Sequence, residues 1–473
     1  MSIDRREFLG SAGLGFGRLA LSYLLGSQLS PGATIANPLA AKAPPLPATA
    51  KNVIFLFMHG GPSHLDSFDP KPALVKLEGK PVPASFGSVQ LQFSKFNEVP
   101  ILASRRNFKK YGQAGTEISD LFPKVAEHAD DLAVIRSCYH DGFTHTAALN
   151  LLNNGWPRLG RPSMGSWVVY GLGSESENLP AFVVLLEGGI KSGPPVYSAG
   201  FLPAMYQGTV LRNGATPILN AKPPAGMKTE EQREMLDLLR WNNEQHLASR
   251  SDDSDLQARI ASYELAFRMQ MAAPELTDFS KESDATKALY GMGEARTSEF
   301  GGKCLLARRL VERGVRFVQV WSGSTTGGGD WDGHAQCDKN HVTIAGKIDH
   351  PVAGLLADLK AKGLLDTTLV IWGGEFGRTN YCQGKLSRDN YGRDHHPRCF
   401  TVWMAGGGVR PGVYGETDDF GYNIAKDPVH VHDFHATVLY LMGLDHEKLT
   451  FKHQGRRYRL TDVAGKVVNG LIA

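Results

Sequence analysis

Short runs of apolar and β-branched residues recur along the chain at 52–58, 132–137, 181–186, 315–321, 368–372 and 401–404, each leading into or out of a polar or glycine-rich segment. Runs this short and this continuously apolar predict strands buried on both faces, as in a parallel sheet. Between them, apolar residues spaced by three and four positions predict helices over 229–249, 253–272, 301–313, 342–362 and 432–442. Strands alternating with helices in this way predict an α/β fold, a doubly wound, mostly parallel sheet flanked by helices. The stretch 190–300 is poor in strand signals, partly helical and charged, and reads as a cap or insertion. No internal repeat is visible.

The first 43 residues have a different character. Arg5-Arg6-Glu-Phe8-Leu9 precedes a weakly hydrophobic, glycine-containing run at 10–25 and then small residues, the layout of a signal peptide. The run is too short and glycine-rich for a membrane span, which needs about 20 apolar residues. The Arg5-Arg6 pair with Phe8-Leu9 resembles the twin-arginine signal. That resemblance implies recognition by the twin-arginine export machinery, passage across the membrane after folding, and a periplasmic or secreted mature protein without a stable span. Ala36 and Ala41 are candidate cleavage points, and the Pro/Ala-rich residues 40–50 read as a linker.

Composition narrows the partners. With 42% hydrophobic and 21% charged residues and a net charge of +3, the chain carries no strong basic field, which argues against nucleic acid as a partner. The five cysteines, Cys138, Cys304, Cys337, Cys382 and Cys399, form no CxxC pair, so no zinc knuckle or redox motif is read from them. Cys382 and Cys399 are the nearest pair should an exported protein form a disulfide.

Ligands of open α/β sheets bind beyond the carboxyl ends of strands, so polar residues following the apolar runs are the first candidates for chemistry. They are His59, Ser63, His64 and Asp66; Asp330, Asp332 and His334; and Glu375 and Arg378, with Asp394, His395 and His396 just before 401–404. Carboxylates and imidazoles are the donor set of a divalent metal such as zinc, calcium, magnesium or manganese. The glycines of Gly-Gly-Gly-Asp330-Trp-Asp332-Gly-His334 leave the backbone free to converge these donors on one ion. A second group, Thr144-His145-Thr146, follows the 132–137 strand and opens a helix ending near Gly155. Backbone N–H groups and the dipole at a helix start suit a nucleophile attacking an anionic ester, and equally suit a threonine that only caps the helix.

Residues 349–377, running through Gly363-Leu-Leu-Asp366-Thr-Thr to Gly-Gly-Glu375-Phe-Gly377, are similar to the sulfatase and alkaline phosphatase pattern of helix, turn and strand delivering an acidic metal ligand. Asp433-Phe-His435 to Gly443 resembles that superfamily's terminal helix, and 144–155 its nucleophile helix. Nearly the whole mature chain resembles one exported branch, the domain-of-unknown-function family fifteen-hundred-and-one. The marks are Gly60-Gly61-Pro62-Ser63-His64-x-Asp66, Trp331-Asp332-x-His334, Glu375-Phe-Gly-Arg378-Thr and residues 306–317 and 456–462. The resemblance implies an alkaline phosphatase-like fold. It implies one ion held by Asp332 and His334, with Asp330 as rival carboxylate and His395 or His396 as a late ligand. A second ion would be held by Glu375 with Asp66 or His59. Catalytic members have Asp where this chain has His59, and Asp-His where it has Glu375-Phe376. No Cys-x-Pro-x-Arg stands at 144–155, so the formylglycine nucleophile of typical sulfatases is absent.

The expectation is therefore an exported, metal-dependent hydrolase of phosphate or sulfate esters. Thr144, His145 or Thr146 would supply or hold the attacking group, and Arg378 would stabilise the anion of a small-molecule or polysaccharide ester. The rival reading is a binding protein that keeps the fold without catalysis.

Overall fold

The computed structural model describes residues 38–83, 86, 99–212, 226–248, 254–324, 329–383, 386–387 and 391–473. The export signal read at Arg5-Arg6 lies outside the described residues. Contacts divide the chain into two units, one containing residues 222–264 and the other residues 39–221 and 265–473. In the first, the helix Thr229–Ala248 is charged on its surface, and Arg233 pairs with both Asp237 and Glu264 at 2.8 Å.

The second unit is built on a nine-stranded sheet. Its strands are β1 (Asn52–Met58), β2 (Leu132–Tyr139), β3 (Phe182–Leu185), β4 (Thr209–Leu211), β5 (Phe317–Ser322), β6 (Thr368–Gly373), β9 (Phe400–Ala405), β10 (Gly412–Tyr414) and β11 (Val429–His430). Two further strands, β7 (Gly377–Gln383) and β8 (Gly392–His396), form a separate antiparallel hairpin. The order across the sheet is β10-β2-β9-β6-β1-β5-β3-β4, with β11 also on β2. Among the described strands of this sheet only β9 runs against the others.

The central strand shows why the apolar runs were continuous. All seven residues of β1 are buried, Ile54, Leu56 and Met58 in one core and Val53, Phe55 and Phe57 in the other. Successive side chains alternate across the sheet, so a strand covered on both faces must be apolar throughout. The first core is closed by α3 (Ser298–Glu312) and α4 (Cys337–Ala361), and the second by α1 (His145–Asn154), α2 (Met164–Leu172) and α5 (Val431–Leu441). Each fully buried Leu, Ile or Phe contributes about 1.5–3 kcal/mol of burial, and this double core fixes where the strand ends point.

Three readings change in the structure. Within the stretch read as a cap, β4 adds a parallel edge strand to the main sheet through β3. Residues 40–50, read as a linker, are tied down: Lys42 N–H donates to Leu172 O (2.8 Å), and the N–H groups of Thr49 and Ala50 donate to Leu441 O (2.9 Å each). All five cysteines are buried and unpaired. The Cys399 thiol donates to Gly421 O (3.2 Å), whereas Cys382 packs with Leu102, Cys337 and Tyr391, so the nearest pair in sequence does not bridge. No described helix is long and apolar enough to cross a membrane.

Candidate metal centre

The carboxyl ends of the parallel strands deliver the site. After β1 the chain enters His59 and then Gly60 and Gly61 at φ +107° and +79°. A Cβ on Gly60 would lie 2.6 Å from the Asp332 nitrogen, so only glycine lets this loop pass against the one that follows β5. In that second loop the Trp331 side chain is wholly buried and the backbone N–H of Trp331 donates to His59 O (2.8 Å). Anchoring the indole in the core turns Asp330 and Asp332 on either side of it toward the site. Glu375 follows β6, its carboxylate accepting the Gly60 N–H at 2.9 and 3.1 Å. His145 is the first residue of α1, with Thr144 at the cap position. His395 comes from β8, paired in register with Arg378 on β7.

Four of these residues, His145, Asp332, His334 and His395, each present a ligand atom within 4.8 Å of the others. The Oδ1 atom of Asp332 lies 2.9 Å from His334 Nε2 and 3.3 Å from His395 Nε2, and the two imidazole nitrogens are 3.0 Å apart. Ligands about 2.0–2.1 Å from a tetrahedral ion lie about 3.3 Å from one another.

The tautomers make the fit specific. His395 Nδ1 faces the Phe143 carbonyl (2.9 Å) and His334 Nδ1 faces Gln383 Oε1, both acceptors, so each ring carries its proton on Nδ1. Burial pushes the His395 imidazole down to about 3, despite its bond to Asp332, so the ring is neutral. The Nε2 atoms of both rings are thereby turned to one another and to the Asp332 carboxylate. Two imidazole nitrogens and a carboxylate oxygen brought together in this way are a donor set for a divalent cation, and the outer hydrogen bonds are those that orient metal-binding histidines. Phe376 stacks on the His395 ring, centroids 4.2 Å apart, and holds its plane.

Electrostatics around the ligands is strong. Burial would raise the Asp332 carboxyl, but the Arg378 guanidinium at 2.6 Å and the three histidines hold it far below the usual carboxylate range. Burial would likewise raise Glu375, and the His145 bond at 2.9 Å overrides it downward. His145 moves the other way, since its bonds to Asp332 and Glu375 outweigh burial and raise it.

The remaining sequence-derived candidates divide. His59 lies beside the centre, its Nε2 accepting the Lys191 N–H (3.2 Å). Asp330 reaches it through Lys191 (3.1 Å). Asp66 is elsewhere: its carboxylate is bound by Arg393 (2.8 Å), Ser63 and Ser104 (2.6 Å each). His396 points away because neighbouring residues of a strand face opposite sides, and its Nε2 contacts Tyr422 O (2.8 Å). Thr144 and Thr146 are exposed, and Thr144 makes no side-chain cap bond. Arg378 is fully buried. Its Nε donates to Gly61 O (2.9 Å), Nη1 to Arg393 O (3.3 Å) and Nη2 to Gly60 O and Asp332, so protein groups fill the fork expected to meet a substrate anion.

The family described as "Protein of unknown function (DUF1501)" matches residues 50–472. The chain belongs to that family. This DUF1501 chain is similar to the solved alkaline phosphatase from the Antarctic bacterium TAB5 at 13% identity, over 84% of this chain and 99% of that one, with TM-score 0.34. It is similar to the lipoteichoic acid synthase LtaP from Listeria monocytogenes at 9% identity, over 86% and 76%, with TM-score 0.37. It is also similar to the PsFucS1 sulfatase from Pseudoalteromonas sp. at 12% identity, over 84% and 68%, with TM-score 0.34. No curated protein matches it.

Sequence reasoning missed two residues of the DUF1501 site. Gln383 orients His334, and nothing in the sequence distinguishes it from other polar residues. Lys191 reaches Asp332 (2.5 Å), His145 Nε2 (3.0 Å) and Asp330. Its one signal is position, a lysine among glycines shortly after the apolar run that forms β3.

Proposed function

We propose that this protein is an exported, metal-dependent hydrolase of phosphate or sulfate esters. The observation that carries the reading is the convergence of Asp332 Oδ1 with the Nε2 atoms of His334 and His395 at the carboxyl edge of the sheet. With His145 these residues would hold a divalent ion, whose chemistry is to polarise an ester oxygen and activate the attacking group. Hydrolysis then adds water across the P–O or S–O ester bond and releases an alcohol together with inorganic phosphate or sulfate from a monoester, or a phosphomonoester from a diester. Around that centre, His145 sits between Glu375 and Asp332, which suits a ligand whose proton is held on Nδ1. The hydroxyl of Thr144, one residue away at the start of α1, is the candidate attacking group. Substrates would be small-molecule or polysaccharide esters.

The test is elemental analysis of the folded protein coupled to a panel of phosphomonoester, phosphodiester and sulfate-ester substrates. At least about one equivalent of tightly held ion is expected, with turnover of one ester class that chelation abolishes. Folded protein that purifies metal-free, or turnover indifferent to chelators, refutes the reading. One observation favours a binding protein instead, the filling of the Arg378 fork by protein groups. Metal retained with tight oxyanion binding and no turnover on any ester would select that alternative.

Export is part of the proposal and rests on Arg5-Arg6. Replacing both with lysine should leave precursor in the cytoplasm, as followed by fractionation. Unimpaired export of the double variant would rule out the twin-arginine route.

A further inference from the structure

Asp332 presents two different sides. Its Oδ1 faces His334, His395 and Arg378, whereas its Oδ2 faces Lys191 Nζ (2.5 Å) and His145 Nε2 (3.0 Å). We infer that the Lys191 ammonium is the second cation of this centre, so that the site takes one divalent ion and not two. This rests on the metal reading above and deepens it.

Lys191 is a positioned charge and not a surface lysine. Its backbone N–H is fixed to His59 Nε2 (3.2 Å), and its ammonium touches Asp330, Asp332 and His145. Its side chain is 23% exposed. Whichever way the proton on His145 is arranged, a positive charge already lies against Asp332 Oδ2.

Of the groups expected to hold a second ion, the carboxylates are committed elsewhere and His59 keeps only its Nδ1, buried and without a hydrogen-bond partner. Glu375 accepts from Gly60 N–H and His145, Asp66 is consumed by Arg393 and two serines, and the Nε2 of His59 receives the Lys191 N–H. Charge counting agrees. Of the three carboxylates, Asp330 and Asp332 pair with two fixed cations, Lys191 and Arg378, and Glu375 pairs with neither, so the fixed charges leave one carboxylate over. One divalent ion more than balances that charge, whereas two would leave a large excess of positive charge in a largely buried site.

The experiment is stoichiometry on the full-length protein, stripped with chelator and dialysed against Zn²⁺ or, separately, Mn²⁺. Wild type should take up about one equivalent, and Lys191→Met should gain a second, weaker one, since Asp330 and Asp332 Oδ2, both paired with the Lys191 ammonium, then form a carboxylate pair without its cation. Lys191→Arg, which keeps the charge, should stay at one. Lys191→Gln serves in place of the methionine variant should the latter fail to give a cooperative thermal transition. Two equivalents in the wild type, or one in wild type and in both neutral variants, would overturn the inference while leaving the metal reading intact. No uptake by wild type would end the metal reading itself and this inference with it.

Discussion

Asp332→Asn is expected to strip the centre of metal and of activity together. The substitution preserves shape but replaces a carboxylate that contacts His145, His334, His395, Lys191 and Arg378 at 2.5–3.3 Å. Even a group that only orients a ligand is worth about 10- to 100-fold in metal affinity, so losing a charged ligand common to the whole set should cost more than about 100-fold. A second effect follows from Arg378, which is fully buried and has Asp332 as its carboxylate partner. Removing one partner of a buried pair leaves the other charge uncompensated, at a cost of about 3 kcal/mol or more. Metal content by elemental analysis and stability by denaturant titration should therefore both fall. A variant that still holds a full equivalent of ion would show that the ligand set has been misread.

For Asp66→Asn the opposite division is expected: stability lost, metal kept. Burial would raise this carboxyl, but Arg393, Ser104 and Ser63 bring it down to about 2 from an ordinary value near 3.8. A depressed carboxylate stabilises the fold above its unfolded pKa, and the contribution disappears as pH falls through the folded value. A shift of nearly two units corresponds to about 2.5 kcal/mol at neutral pH. The advantage of wild type over Asp66→Asn should thus be full above about pH 5 and shrink steadily between pH 4 and pH 2. Denaturant titrations across that range check the stability, and elemental analysis at pH 7 checks the metal. Loss of the ion with unchanged stability would return Asp66 to the ligand set, where the resemblance had placed it.

Asp66 and His396 also show why a list of polar residues near strand ends overcounts a site. Both have the chemistry of ligands, and both lie in segments adjacent to the centre. What removes Asp66 is a buried arginine 327 positions away in sequence, and what removes His396 is a one-residue difference in strand phase. Lys191 is the converse, an unremarkable lysine until the turn beyond β3 carries it to Asp332.

By itself the sequence determined the layered α/β frame, because strands covered on both faces must be continuously apolar and their helices must repeat every three or four residues. The six main strands and five long helices are legible on that ground, and so is the position of His59, Asp332, His334 and Glu375 after strand ends. The hairpin of β7 and β8 was not legible, since its residues, GRTNYCQ and GRDHH, carry no apolar pattern although most of them are buried. Their burial is offset by ion pairs and hydrogen bonds to distant groups, and such pairing leaves no periodic trace in a chain. Tertiary structure alone therefore decided which histidine of 395 and 396 faces the centre, which carboxylates stay there, and that Arg378 is spent on backbone carbonyls while Lys191 meets the ligands. Those outcomes depend on strand phase and on partners far apart in sequence, where local propensity carries no information.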